Sequence, residues 1–183
     1  MTRYAALLRG INVGGHNTVR MPELRSMVES LGHTDVVTYI NSGNVVFTSG
    51  AGGAGRAELE AGIEDRLEAE LDRRITVLVR SRDELAEAVE ANPFPDAVPN
   101  RLLLAFLRTA PAEDQLAAAA AVESGADEFR LLGSTLYLHC PDGMGRSKLA
   151  AALSKPVSDG TSRNLATVRK LVQLAGGETP ERS

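Results

Sequence analysis

The feature that most constrains the fold is an alternation of short aliphatic or β-branched runs with stretches of helical spacing, met in nearly the same order twice. Tyr4–Leu8 is an apolar run bounded by Gly10 and reads as a buried strand. Pro22 suits the first turn of a helix, Leu24, Met27, Val28 and Leu31 recur at helical spacing, and Gly32 closes that helix. Val36–Ile40 and Val45–Thr48 are strands joined by Asn41-Ser42-Gly43-Asn44, a tight hairpin with Gly43 free to take positive φ. Leu59, Ile63, Leu67 and Leu71 recur every four residues along a charged helix, and the many acids of Glu58–Asp72 read as its exposed face. Ile75–Val79 is β-branched and supplies the next strand.

The second half runs similarly. Glu84–Ala91 is a linking helix ended by Asn92-Pro93-Phe94-Pro95, and Leu102–Leu107 is a strand. Pro111 starts an Ala-rich helix that reaches Val122. Glu128–Leu132 and Thr135–Cys140 form a hairpin around Gly133-Ser134, and Ser147–Leu153 and Leu165–Leu174 are helices. The first half therefore reads β-α-β-β-α-β, the split βαβ pattern, and the second β-α-β-β-α with a helix where the last strand should be. The expected fold is α+β, two ferredoxin-like subdomains in tandem, the second modified by C-terminal helices. The expected bounds are 1–92, 100–176 and a tail at 177–183. Ser49–Gly55, with four glycines, reads as a flexible surface connection.

Composition narrows the classes. Over 183 residues, 43% hydrophobic and 24% charged describes a globular chain, but aromatics are only 4% and Trp is absent, so Leu, Val, Ile and Ala must build the core. A net charge of -4 and a pI near 5.5 argue against broad, non-specific binding to nucleic acid or anionic membrane. The charge is uneven: from Pro141 onward seven Lys/Arg and four acids give +3, leaving -7 for the rest. One cysteine, Cys140, excludes an intrachain disulfide, and with no signal-peptide pattern or 18-residue apolar run it points to the cytoplasm.

Three polar segments carry whatever chemistry the chain offers. Arg9-Gly10-Ile11-Asn12-Val13-Gly14-Gly15-His16-Asn17 combines a cation, two amides and backbone able to converge its N–H groups, in a spacing that is neither a dinucleotide fingerprint nor a P-loop. The alternative is a loop whose Asn side chains satisfy its own backbone. Gly143-Met144-Gly145-Arg146-Ser147-Lys148 sets two cations and free N–H groups at a helix start, or else two solvated cations. Thr161-Ser162-Arg163-Asn164 offers Thr161 or Ser162 as an N-cap, with Arg163, Thr167 and Lys170 on one face, or simply a solvated stripe. His16, His33 and His139 are scattered, so no metal site and no cofactor is expected.

The same residues resemble a family. Tyr4–Asn17, Thr38–Phe47, Arg146-Ser147-Lys148-Leu149, Ser162-Arg163-Asn164 and Thr167–Leu171 are similar to the bacterial family called domain of unknown function 1697. That resemblance implies two ferredoxin-like α+β subdomains and no established activity. One position departs from the family pattern: Leu165 stands where a Trp is usual after Arg-Asn.

The functional expectation is binding of a small phosphorylated ligand, a nucleotide or a nucleic-acid end, in a cleft between the subdomains. Arg9, Arg146, Lys148 and Arg163 would neutralise phosphates, with Lys170 on the same helical face as Arg163. Asn12, Asn17, Ser42, Asn44 and Asn164 would orient the ligand. Gly14, Gly15 and Ser147 would add backbone or hydroxyl donors, with Tyr39 alongside. Two alternatives stand beside it: an enzyme acting on an anionic substrate, with Lys148 or Tyr39 moving a proton, and an interaction module without a ligand that uses the Ala-rich helix.

Overall fold

The structure, a computed structural model, describes residues 2–14, 17–50 and 55–177. Its chain divides into two compact units, Met1–Ala86 with Lys170–Ser183, and Glu87–Arg169. Each unit holds one four-stranded sheet in which neighbouring strands run antiparallel. The architecture is thus a mixed α+β fold of two subdomains.

The first unit is built from β1 (Arg3–Leu8), α1 (Met21–Ser30), β2 (Thr34–Tyr39), β3 (Asn44–Thr48), α2 (Arg56–Leu71) and β4 (Val77–Ser81), with strand order β2-β3-β1-β4. Strand alternation sends Leu8, Val45, Phe47, Val77 and Val79 to one face, where Leu24, Val28, Leu59, Ile63 and Leu67 of the two helices cover them. Residues of the other parity, Ala5, Leu7, Val46 and Leu78, are buried as well. A sheet covered on both faces explains why its strands read as continuous apolar runs.

The acids of α2 are not all on the exposed face expected from their spacing. Glu60 and Glu64 are buried. β4 is an edge strand, and alternate N–H groups along its outer side have no partner strand. Glu64 Oε1 accepts from Val77 N at 2.8 Å and Glu60 Oε1 from Val79 N at 2.9 Å. The next amide on that side, Ser81 N, donates to Glu84 Oε2 at 2.8 Å, while Ser81 Oγ accepts from Glu84 N at 3.1 Å. This last pair is a capping box that starts α3 (Arg82–Glu90) directly from the strand. Three carboxylates therefore close the edge of the sheet. Arg80, also buried, donates to Val79 O at 2.9 Å and lies 3.8 Å from Glu60 Oε1. Burial, with the nearby Arg56 charge, lowers its pKa, and Glu84 and Glu60 oppose that shift.

In the second unit β5 (Leu102–Phe106), α4 (Glu113–Ala120), β6 (Glu128–Leu132), β7 (Thr135–His139), α5 (Lys148–Leu153) and β8 (Thr161–Asn164) precede α6 (Leu165–Ala175). Strand order is β6-β7-β5-β8, the same permutation as in the first sheet. The fourth strand that the sequence reading lacked is therefore present: Thr161–Asn164 pairs with β5, Phe106 opposite Thr161 and Leu103 opposite Asn164. Its polar composition hid it. Gly160 makes the approach possible, because a Cβ there would strike the Phe106 carbonyl and stand 2.7 Å from Leu107 Cδ2. The Pro-rich stretch before β5 packs on this unit too, with the Phe94 ring 5.4 Å from His139 and 5.8 Å from the Arg130 guanidinium. Tyr137, buried on β7, donates from its hydroxyl to Ala88 O at 2.7 Å, and burial pushes its pKa up, with Glu87 adding to the shift.

Candidate functional site

At one end of the first sheet residues 10–12 meet the β2–β3 hairpin. Leu7 pairs with Asn44, Leu8 N donates to Gly43 O at 2.8 Å, and Arg9 N donates to Thr76 O at 2.9 Å. Arg9 and Asn44 thus lie at the same end of the sheet, as antiparallel pairing of the first and third strands requires. The hairpin tip touches the loop directly: Asn12 Nδ2 donates to Asn41 O at 2.7 Å, and a Cβ on Gly43 would stand 2.6 Å from Ile11 Cδ1.

The amides here act on backbone. Asn12, at φ 55, accepts from Val19 N at 2.9 Å through Oδ1 and donates to Val19 O at 2.9 Å. Asn17, at φ 52, donates to Gly10 O at 3.0 Å, and its carbonyl accepts from Asn12 N at 3.1 Å. Asn44 is fully buried and donates to Tyr39 O and Ser42 Oγ, each at 3.0 Å. Asn tolerates the left-handed region and its side chain imitates a peptide group, so this cluster is a clasp that holds loop to hairpin. Gly14 takes φ 58; Gly15 and His16 lie outside the described residues.

The second polar segment follows β7. Gly143, at φ 95, donates to Cys140 O at 3.0 Å, so its N–H is engaged in a turn rather than free as its sequence setting suggests. A 3-10 turn over Met144–Arg146 leads into Ser147, whose Oγ caps α5 by accepting from Ala150 N at 2.9 Å. Ser147 is thus a helix cap. Cys140 Sγ lies 3.6 Å from the same hydroxyl. Burial raises the Cys140 pKa, the Ser147 contact opposes that, and Asp127 adds to it, which disfavours a thiolate nucleophile.

This turn forms one wall of an open cleft of about 600 Å³ lined by Arg101, Asp127, Asp142, Gly143, Gly145 and Arg146, among others. Arg101 lies against Gly143, where a Cβ would collide with its guanidinium. Neither Arg101 nor Arg146 forms an ion pair among the described residues. Arg101 and Asp127 escaped the sequence reading, because each is remote in sequence from the Gly143–Arg146 turn and only the β5–β7 pairing brings Arg101 to it. Lys148 is exposed and does not line the cleft.

The third segment behaves differently from its sequence reading. Arg163 is buried on β8, its Nη1 donating to Thr161 Oγ1 at 2.9 Å and to Ser162 O at 2.8 Å. Burial lowers its pKa to about 10. Alternation puts Arg163 on the sheet face opposite Ser162, and it is Ser162 that shares the side of Met144 and α5. The structure therefore does not bring Arg163 to the Arg146 cleft. Asn164, not Thr161 or Ser162, caps α6: its Oδ1 accepts from Thr167 N at 2.8 Å. Lys170 is half-buried on α6 beyond the division between units.

Among the described residues no three His, Cys, Asp or Glu side chains cluster as a metal-ligand set, and no helix is long and apolar enough to cross a membrane. A solved structure, that of the conserved bacterial protein SP0830 from Streptococcus pneumoniae, is similar at 28% sequence identity and a TM-score of 0.77, covering 95% of this chain and 98% of that one. No curated protein matches the chain. Residues 1–137 match the family described as protein of unknown function (DUF1697), three quarters of the sequence, so the chain belongs to the DUF1697 family.

Proposed function

We propose that this protein binds a small phosphorylated ligand, such as a nucleotide or a nucleic-acid end, and that the cleft beside Arg101 and Arg146 receives the phosphate. The observation that carries this reading is the pair of guanidiniums facing an open cleft of about 600 Å³ without an ion-pair partner among the described residues. Arg offers a planar fork of donors matched to phosphate oxygens. Asp127 and Asp142 on the same cleft favour a ligand that also carries hydroxyl or amine donors, as nucleotides and sugar phosphates do. We further propose that each subdomain is ferredoxin-like, supported by the repeated strand permutation and the antiparallel pairing.

Thermal-shift screening of the full chain against nucleotides, sugar phosphates and short oligonucleotides tests the function, since a ligand of the native state raises its melting temperature. For a ligand found this way, Arg146→Ala or Arg101→Ala should weaken binding by about tenfold or more, the value of one charged hydrogen bond. Unchanged affinity in the double variant would overturn the assignment of the cleft.

A further inference from the structure

The charged cleft has an apolar neighbour. A second cavity, of about 120 Å³, lies between the β5–β7–β8 sheet and α5. Leu103, Ala105, Leu138, Leu153 and Val157 line it, Ser162 is its one hydroxyl, and Met144 lines both it and the cleft. Met144 is 39% exposed although it also lines the apolar cavity. An unbranched thioether on a short 3-10 turn is an adaptable wall between the two spaces.

Resting on the phosphate reading above, we propose that the ligand is amphiphilic: a phosphate monoester that carries a compact apolar group beside its polar donors, the phosphate at Arg101 and Arg146 and the apolar group in the pocket behind Met144. Three features of the geometry point this way. A lining of one hydroxyl among apolar side chains gives a water few partners, so an apolar group displaces it at little cost. The volume approaches the ~150 Å³ of a cavity that takes a benzene ring, so a ring or a branched alkyl group fits and a long chain does not. The shared Met144 sets charge and apolar surface next to each other, which fits the two ends of one small molecule better than two separate ligands.

The experiment is a calorimetric titration of the full chain with inorganic phosphate, methyl phosphate and phenyl phosphate. Each methylene-sized apolar increment buried is worth about fourfold in affinity, so phenyl phosphate should bind at least about tenfold tighter than inorganic phosphate. In Val157→Phe and in Leu153→Phe, which fill the pocket, the ratio of the two affinities should fall toward one; circular dichroism confirms that each variant is folded. Equal binding of all three probes by the parent overturns the amphiphilic ligand and leaves the phosphate site standing. A phenyl preference that survives in folded pocket-filling variants overturns it as well. Absence of binding by every probe refutes the phosphate reading itself, and the inference with it.

Discussion

Replacing Glu64 by Ala isolates the closure of the β4 edge. Val77 has no solvent exposure, and its N–H points away from β1 toward Glu64 Oε1 at 2.8 Å. Removing the carboxylate takes a charged acceptor from a desolvated donor, a hydrogen bond worth about 1.5–3 kcal/mol. The accompanying pair with Arg74, at 3.3 Å, adds little because the Arg74 side chain is 64% exposed. The expected loss is therefore about 2–3 kcal/mol for Ala and about half that for Gln, which keeps an amide oxygen in place. Urea unfolding gives the total as a lower midpoint at unchanged slope. Amide exchange supplies the local readout: Val77 should exchange faster in the Ala variant, while Leu78, whose N–H faces β1, keeps its protection relative to global unfolding. An Ala variant within about 0.5 kcal/mol of the parent, the range of ordinary surface changes, with Val77 exchange unaltered, would refute the claim that Glu64 closes the edge.

Other perturbations give distinct outcomes. His33 is buried, its ring 4.6 Å from that of Phe47, and its Nδ1 accepts from Gly50 N at 3.3 Å; burial lowers its pKa below 6.5. Below pH 6.5 the unfolded chain binds a proton that the folded chain refuses, so stability should fall as pH drops through that window, and His33→Gln should flatten this acid-side slope in urea titrations at stepped pH. Ile40 sits at φ 50 on the hairpin, 48% exposed, where a β-branched residue is strained; Ile40→Gly should raise stability by up to about 1 kcal/mol by relieving the left-handed conformation, and a destabilised variant would refute the strain. Arg163→Ala should lower the melting temperature with or without ligand and leave affinity at the Arg146 cleft unchanged, a result that an affinity loss in a folded variant would contradict.

Most of the architecture was legible because it depends on periodicity. Leu59, Ile63 and Leu67 at four-residue spacing and the β-branched run ending at Val79 could hardly do anything else once a core had to be made without Trp. Thr161–Asn164 was not legible, because an edge strand of four residues, all with polar side chains, carries no apolar alternation, and its pairing rests on Gly160 meeting Phe106. The burial of Glu60 and Glu64 was equally hidden. Their spacing matches that of any solvated acidic stripe, and only the position of β4 at the edge of its sheet turns them inward.

The polar segments show why site residues are harder to read than folds. Asn12, Asn17, Asn44, Ser147 and Asn164 look like ligand donors in sequence, since the side chains that orient a ligand are those that also imitate a peptide group. In the structure each one bonds nearby backbone: a loop, a hairpin or a helix end. Such residues serve the chain itself wherever the backbone must turn, and this chain turns sharply at Gly10, Gly43 and Gly143. What remains at a cleft after those roles are assigned is the guanidinium. An arginine cannot imitate a peptide, is charged at any physiological pH, and without an ion-pair partner can grip an anion. Arg146 meets that description from a recognisable segment, whereas Arg101 meets it only because β5 pairs with β7 and brings its chain against Gly143. The discriminating information for a site of this kind is therefore the strand register.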